Sequence, residues 1–125
     1  MNNKDVKKVI ILGASSNKDR YAYKAMIKLK QYNHNVVLVN PDIDEIEGQK
    51  VLADLDQVNE DVNTLTIYVN PKISNMLADK IKKIKTKRVI FNPGTENPTL
   101  ADDLKKTGIE VINACTLVML STNQF

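Results

Sequence analysis

The densest concentration of usable chemistry is the run Gly13-Ala14-Ser15-Ser16-Asn17-Lys18-Asp19-Arg20. A glycine followed by two hydroxyl residues suits a tight turn whose backbone N–H groups and side chains surround an anion. Lys18 and Arg20 add positive charge, and a guanidinium can pair two phosphate oxygens at once. The chemistry implied is phosphate recognition rather than bond breaking. Three other apolar runs stop at Asn-Pro: Asn40-Pro41, Asn70-Pro71 and Asn92-Pro93. Proline cannot donate to a sheet ladder and keeps the residue before it extended. Asn-Pro also suits a helix start, with Asn as cap and Pro at the first helical position.

The remaining reactive side chains do not assemble a catalyst. Glu96, within Asn92-Pro93-Gly94-Thr95-Glu96-Asn97-Pro98, could cap a helix, accept from a ligand or move a proton, and capping is the commoner use. Cys115 follows the last apolar run beside Ala114 and Thr116, as a small packed residue does, with no histidine to serve as its base. His34 falls in a turn before the second strand, at the pole opposite the loops just named. No Ser-His-Asp arrangement or carboxylate pair is visible, and one histidine with one cysteine makes a transition-metal site unexpected. No catalytic residue and no metal ligand is assigned.

Nucleotide signatures of other kinds are missing. The G-x-G-x-x-G fingerprint is absent, and so is a Walker loop. The second strand ends in Asn40-Pro41 rather than in the acid that holds an adenosine ribose, with Asp42 lying beyond the kink. A phosphoacceptor receiver would want acids where Gly13 and Asn70 stand.

Short Val- and Ile-rich runs at Lys8–Leu12, Val36–Asn40, Thr64–Val69, Arg88–Asn92 and Ile109–Ile112 must position these loops. They are nearly unbroken in apolarity, as in parallel strands buried on both faces. Between them Ala22, Ala25, Met26 and Leu29 form one helical stripe. Ile73, Met76, Leu77, Ile81 and Ile84 form another, and Leu100, Ala101 and Leu104 a third. Leu52–Val58 suggests a short helix, and Gly108 closes the helix begun by Asn97-Pro98. The expected fold class is α/β: three layers, doubly wound around a five-stranded parallel sheet, one domain over residues 1–125. Ligands of such sheets bind at the carboxyl edge. The apolar tail Cys115 to Leu120 is expected to pack as a closing helix, the alternative being a contact with a second copy or another protein.

A chain of 125 residues, 42% hydrophobic and 26% charged, can bury a core without disulfide or metal. The polar start, Met1 to Lys8, precedes only four consecutive apolar residues, too few for a signal or membrane segment. A soluble, cytoplasmic protein is expected. Net charge is +3 with six aromatic residues and no Trp, a poor basis for nucleic-acid binding. The basic run Lys80, Lys82, Lys83, Lys85, Lys87 and Arg88 reads as a solvated helix face leading into a strand.

Taken together, Val9-Ile10-Ile11-Leu12-Gly13-Ala14-Ser15, Arg20-Tyr21-Ala22, Val39-Asn40-Pro41, Gly48, Tyr68-Val69, Asn92 to Glu96 and Ala114-Cys115-Thr116 resemble the small, stand-alone CoA-binding domain proteins. Those are Rossmann-like and similar to the amino-terminal CoA-binding domain of the succinyl-CoA synthetase alpha subunit. The resemblance implies coenzyme A, or an acyl-CoA, along the carboxyl edge. It implies phosphates held by Gly13, Ala14, Ser15 and Arg20, with Ser16 adding a hydroxyl by the loop reading above. It places Val39, Asn40 and Pro41 beside the nucleotide, Tyr68, Val69 and Asn70 along the middle of the ligand, and Asn92, Pro93 and Gly94 near the pantetheine. The synthetase's phosphorylated histidine lies in a domain this chain lacks, so ligase chemistry does not carry over. The rival reading is an NAD(P)-type enzyme of the same fold, and a third is a regulatory subunit of an acyl-CoA-handling complex.

Overall fold

The computed structural model describes residues 5–125; Met1 to Lys4, half of the polar start, lie outside the described residues. Seven strands form one sheet: β1 (Lys8–Leu12), β2 (Asn35–Val39), β3 (Glu45–Ile46), β4 (Gln49–Leu52), β5 (Val62–Ile67), β6 (Thr86–Phe91) and β7 (Glu110–Asn113). Their spatial order is β3-β4-β2-β1-β5-β6-β7. All neighbours run parallel except β3 and β4. The sheet is therefore mixed and seven-stranded, not the five-stranded parallel sheet expected. The two extra strands form a hairpin turned at Glu47 and Gly48, both at positive φ (50° and 78°). That is the backbone a two-residue hairpin needs. Glu in place of the usual Asn or Asp, and a first strand of two residues, hid it. Leu52 accordingly ends a strand, and only Leu55–Gln57 coils, as a single 3-10 turn capped by Asp54.

Five helices follow the strands: α1 (Tyr21–Gln31), α2 (Pro71–Met76), α3 (Ala78–Lys83), α4 (Pro98–Lys106) and α5 (Thr116–Ser121). The long stripe from Ile73 to Ile84 is divided at Leu77, whose φ/ψ of −98°/5° leaves the helical region. Its halves differ in use: Ile81 and Ile84 enter the core, while Met76 is 77% exposed. The expected closing helix is α5, and Met119, Leu120 and Phe125 are buried with α1.

Successive strand residues serve opposite faces. Val9 and Ile11 pack with Ala22, Met26 and Leu29 of α1 and with α5. Ile10 and Leu12 pack with Leu55, with Ile81 of α3 and with Leu100 and Leu104 of α4. Helices thus cover both sides of the sheet, giving the three layers expected. Counted along the chain, the parallel strands lie in the order 3-2-1-4-5-6. The direction of winding reverses between β1 and β5, and in this topology the crevice beyond that point is where ligands lie.

The basic run is divided among several tasks. Lys80 pairs with Asp54 and Asp56, Lys82 with Asp103 at 3.0 Å, and Arg88 is buried, donating to Thr64 Oγ1 at 2.9 Å. No helix among the described residues is long and apolar enough to cross a membrane.

Candidate functional site

Loop β1–α1 opens the site. Gly13 sits at φ +90°, and a Cβ there would lie 3.0 Å from Val69 Cγ1 and 3.2 Å from the Tyr68 carbonyl carbon. The residue must therefore be glycine twice over, for its backbone angle and for the approach of the β5–α2 loop. The N–H groups of Gly13 and Ala14 both donate to the Val39 carbonyl, at 3.0 and 3.2 Å. They tie this loop to β2 and are not available to an anion. The donors left are further along the chain. Ser15 Oγ accepts from Asn17 N, Asn17 Oδ1 accepts from Asp19 N, and the loop so shaped delivers Arg20 to the N-cap of α1.

Arg20 is exposed and caps nothing with its side chain, and the first turn of α1 has no acidic residue. Tyr21, Ala22 and Tyr23 carry the N–H groups that no helical carbonyl can reach. The positive end of the helix and a guanidinium therefore point to one place, with nothing negative in that turn to offset them.

That place is a cleft of about 460 Å³ beyond β1 and β5. Along the strand order it is lined by Asn40 after β2, Gly13, Ala14, Ser15 and Arg20 after β1, Tyr68 and Asn70 after β5, and Pro93 and Gly94 after β6. A second, more apolar cavity of about 370 Å³ shares Gly13 and Asn40 with it and adds Val39, Pro41 and Val69. Twelve of the fourteen residues singled out thus line one cavity or the other. Ser16 is exposed outside both. Asn92 is buried outside both, and its amide is fully occupied: Nδ2 donates to Thr66 Oγ1 (2.7 Å) and Ile67 O (2.9 Å), and Oδ1 accepts from Thr116 N (2.9 Å). It joins β5, β6 and α5 behind the cleft.

Tyr68 reaches into the same buried polar group. Its hydroxyl is shielded from solvent beside the paired Thr66 and Thr116 hydroxyls (2.8 Å apart) without a well-formed hydrogen bond of its own. Burial holds that phenol well above its usual range, so it stays protonated. Glu96 accepts from Gly94 N at 2.8 Å and fastens its own turn. Cys115, half-buried, is the N-cap residue of α5. His34 is buried at the amino edge, its ring tilted against that of Phe125 with centroids 5.2 Å apart, and accepts from Lys7 N through Nδ1. No group of three or more His, Cys, Asp or Glu able to hold a metal exists among the described residues.

Sequence reasoning missed several wall residues. Thr95 is buried with its hydroxyl on the Asn92 carbonyl, and Tyr21 and Ala22 belong to the helix start itself. In the second cavity Asp42, Asp54, Ile73 and Met76 were not foreseen. Asp42, read as lying beyond the kink at Pro41, lines this cavity. Asp42 N donates to Asn40 Oδ1 at 2.8 Å and keeps that stretch against the rim.

Comparison with known proteins agrees with this geometry. A chain of 42% identity and uncharacterised role has a crystal structure that superposes with a TM-score of 0.92, over 97% of this chain and 99% of that one. A conserved hypothetical protein from Pyrococcus furiosus is 30% identical with a TM-score of 0.81, over 90% of this chain and 97% of that one. In sequence, 89 residues (70% of this chain) are 33% identical to an ADP-forming acetate–CoA ligase of Methanocaldococcus jannaschii. The aligned stretch spans only 13% of that ligase's length. The sequence profile of the CoA binding domain matches residues 7–121. With nearly its whole length matched, and with the cleft at the reversal point of a Rossmann-like sheet, the chain belongs to the CoA-binding domain family.

Proposed function

We propose that this chain binds coenzyme A or an acyl-CoA across the two joined cavities and carries out no covalent chemistry by itself. The observation that carries the reading is the convergence of Arg20 and the unpaired first-turn N–H groups of α1 on a cleft with no acid in that turn. A pyrophosphate is the part of the ligand suited to that corner. The nucleotide then extends past Val39, Asn40 and Pro41, and the pantetheine runs along Tyr68, Asn70, Pro93 and Gly94. The ligase relative, whose name declares a CoA substrate, supports the ligand class.

Thermal unfolding with CoA, acetyl-CoA, NAD, NADP and ATP tests the proposal. A ligand at a hundred times its dissociation constant adds about 2.7 kcal/mol of stability. Stabilisation by CoA is expected, and a response to NAD or NADP with none to CoA would refute the proposal. Arg20→Ala should weaken CoA binding about tenfold, the scale of one charge-assisted hydrogen bond, and leave unliganded stability unchanged. Unaltered affinity would remove Arg20 from the site.

A further inference from the structure

The short helix α2 is used on two sides. Ser74 is fully buried and, with Asn75, accepts from Asn97 Nδ2, which fastens that side of the helix to α4. The other side carries Ile73, Met76 and Leu77, at the three- and four-residue spacing that shares a helix face. All three line the second cavity beside Leu55 and Val69. Leu77 packs against the core, whereas Ile73 is 40% and Met76 77% exposed. Met76 is therefore at once a wall of an apolar cavity and a thioether open to solvent. Of the other methionines among the described residues, Met26 (1% exposed) and Met119 (8%) are closed off in the core.

We propose that Met76 is a peroxide-sensitive modification site, that its oxidation weakens ligand binding, and that bound ligand shields it. The thioether sulfur attacks one oxygen of hydrogen peroxide, the O–O bond breaks, and methionine sulfoxide and water are the products. Sulfur gives up two electrons and the peroxide takes them. The product sets a polar acceptor where an apolar wall stood. A ligand that covers it must strip water from that oxygen, and the side chains of Leu55, Val69, Ile73 and Leu77 offer it no donor. Reduction of the sulfoxide restores the thioether, so the change is reversible. The inference rests on the CoA-binding proposal, in which the nucleotide runs past Val39, Asn40 and Pro41, residues of this same cavity.

Hydrogen peroxide added to the whole chain, with and without saturating CoA, tests it. Tryptic cleavage places Met76 in residues 73–80 and Met26 in residues 25–28, apart from the peptide that holds Cys115 and Met119. Mass spectrometry therefore follows Met76 separately. Met76 should oxidise about tenfold faster than Met26, as exposure dictates, and CoA should slow it severalfold. The oxidised chain should bind CoA about tenfold more weakly in isothermal titration, the scale of one uncompensated polar group. Met76→Leu, compared with itself before and after peroxide, should show no such loss. A loss that persists in Met76→Leu would assign the effect to another group, Cys115 included, and overturn the inference. So would a Met76 that oxidises equally fast with and without CoA. In both cases the untreated chain still binds CoA and the proposed function stands. Failure of CoA to bind the untreated chain would overturn the CoA-binding proposal and this inference with it.

Discussion

Gly13→Ala offers a direct test of how tightly the binding edge is built. Two costs are separable because the structure supplies a control. At Gly13 the new methyl meets Val69 Cγ1 at 3.0 Å and the Tyr68 carbonyl carbon and oxygen at 3.2 and 3.3 Å, at φ +90°. At Gly108, at φ +87°, the same methyl would meet nothing within 4 Å. Gly108→Ala therefore carries the backbone strain alone, about 1–2 kcal/mol. Gly13→Ala carries that strain and overpacking against neighbouring backbone, which cannot rotate away as a side chain can, for a total of about 3–4 kcal/mol. For a domain of this size 1 kcal/mol moves the melting temperature by about 4 °C, so the expected losses are about 6 °C for Gly108→Ala and about 14 °C for Gly13→Ala. Thermal unfolding followed by circular dichroism measures both. Equal losses in the two variants, within about 2 °C, would refute the claim that the β1–α1 and β5–α2 loops are held in fixed contact.

Other perturbations probe the parts around that contact. Asn92→Ala strips partners from Thr116 N and the Ile67 carbonyl and opens a buried void, at a cost of about 2–4 kcal/mol in urea unfolding. A loss below 1 kcal/mol would mean the three bonds are dispensable. Burial, then the charges of Lys7 and Arg88, hold the His34 pKa below its ordinary 6.5. The unfolded chain therefore binds more protons, so the His34 contribution is full above about pH 6.5 and declines as pH falls through the folded value. Unfolding free energy measured from pH 8 to 5 should fall at the acid end, and more steeply than in His34→Gln; identical slopes would contradict it. Arg20→Ala, described above, acts on the ligand and should leave the melting temperature of the free chain within about 2 °C of the wild type, as surface changes do.

The α/β layering was legible because its signal is redundant. The central strands β1, β5 and β6 are short, mostly apolar runs buried on both faces, α1 and α4 each have an apolar stripe, and Gly108 marks the stop of α4. Asn70-Pro71 and Asn97-Pro98 do start helices, each Asn accepting from an N–H three residues on. The β3–β4 hairpin was not legible, since Glu47 adopts a positive φ that its side chain does not advertise. The stripe through Ile73 and Met76 reads as core by spacing, yet these residues face a cavity, because period alone cannot tell a packed face from a groove wall. That Asp42 lines the second cavity was not legible for a local reason: Pro41 marks a kink, and nothing in one sequence says which way the chain goes after it.

The asparagines at the strand ends have more than one job, and this bears on binding. Asn40 Nδ2 donates to the Ala14 carbonyl at 2.7 Å, joining the β2 and β1 loops. Asn97 Nδ2 donates to Ser74 Oγ and Asn75 Oδ1, both at 2.8 Å, joining α4 to α2. Asn92 joins β5, β6 and α5. Short amides thus lace each loop of the carboxyl edge to its neighbour, while Gly13 lets the β1 and β5 loops touch. Loops held in this way lose little conformational freedom when a ligand arrives, so the loop-ordering part of the entropic cost of binding is small. In the proposed binding mode the same lacing moves phosphate recognition from the glycine loop to its end. Gly13 and Ala14 spend their N–H groups on Val39, and the free donors are left to Arg20 and the first turn of α1. A chain with Asn40→Ala should therefore keep its phosphate donors and still bind CoA more weakly, because the loop that presents them keeps the two backbone bonds to Val39 but loses its side-chain tie to β2. The loss should appear in calorimetry as a less favourable entropy at similar enthalpy. A purely enthalpic loss would mean that Asn40 touches the ligand itself.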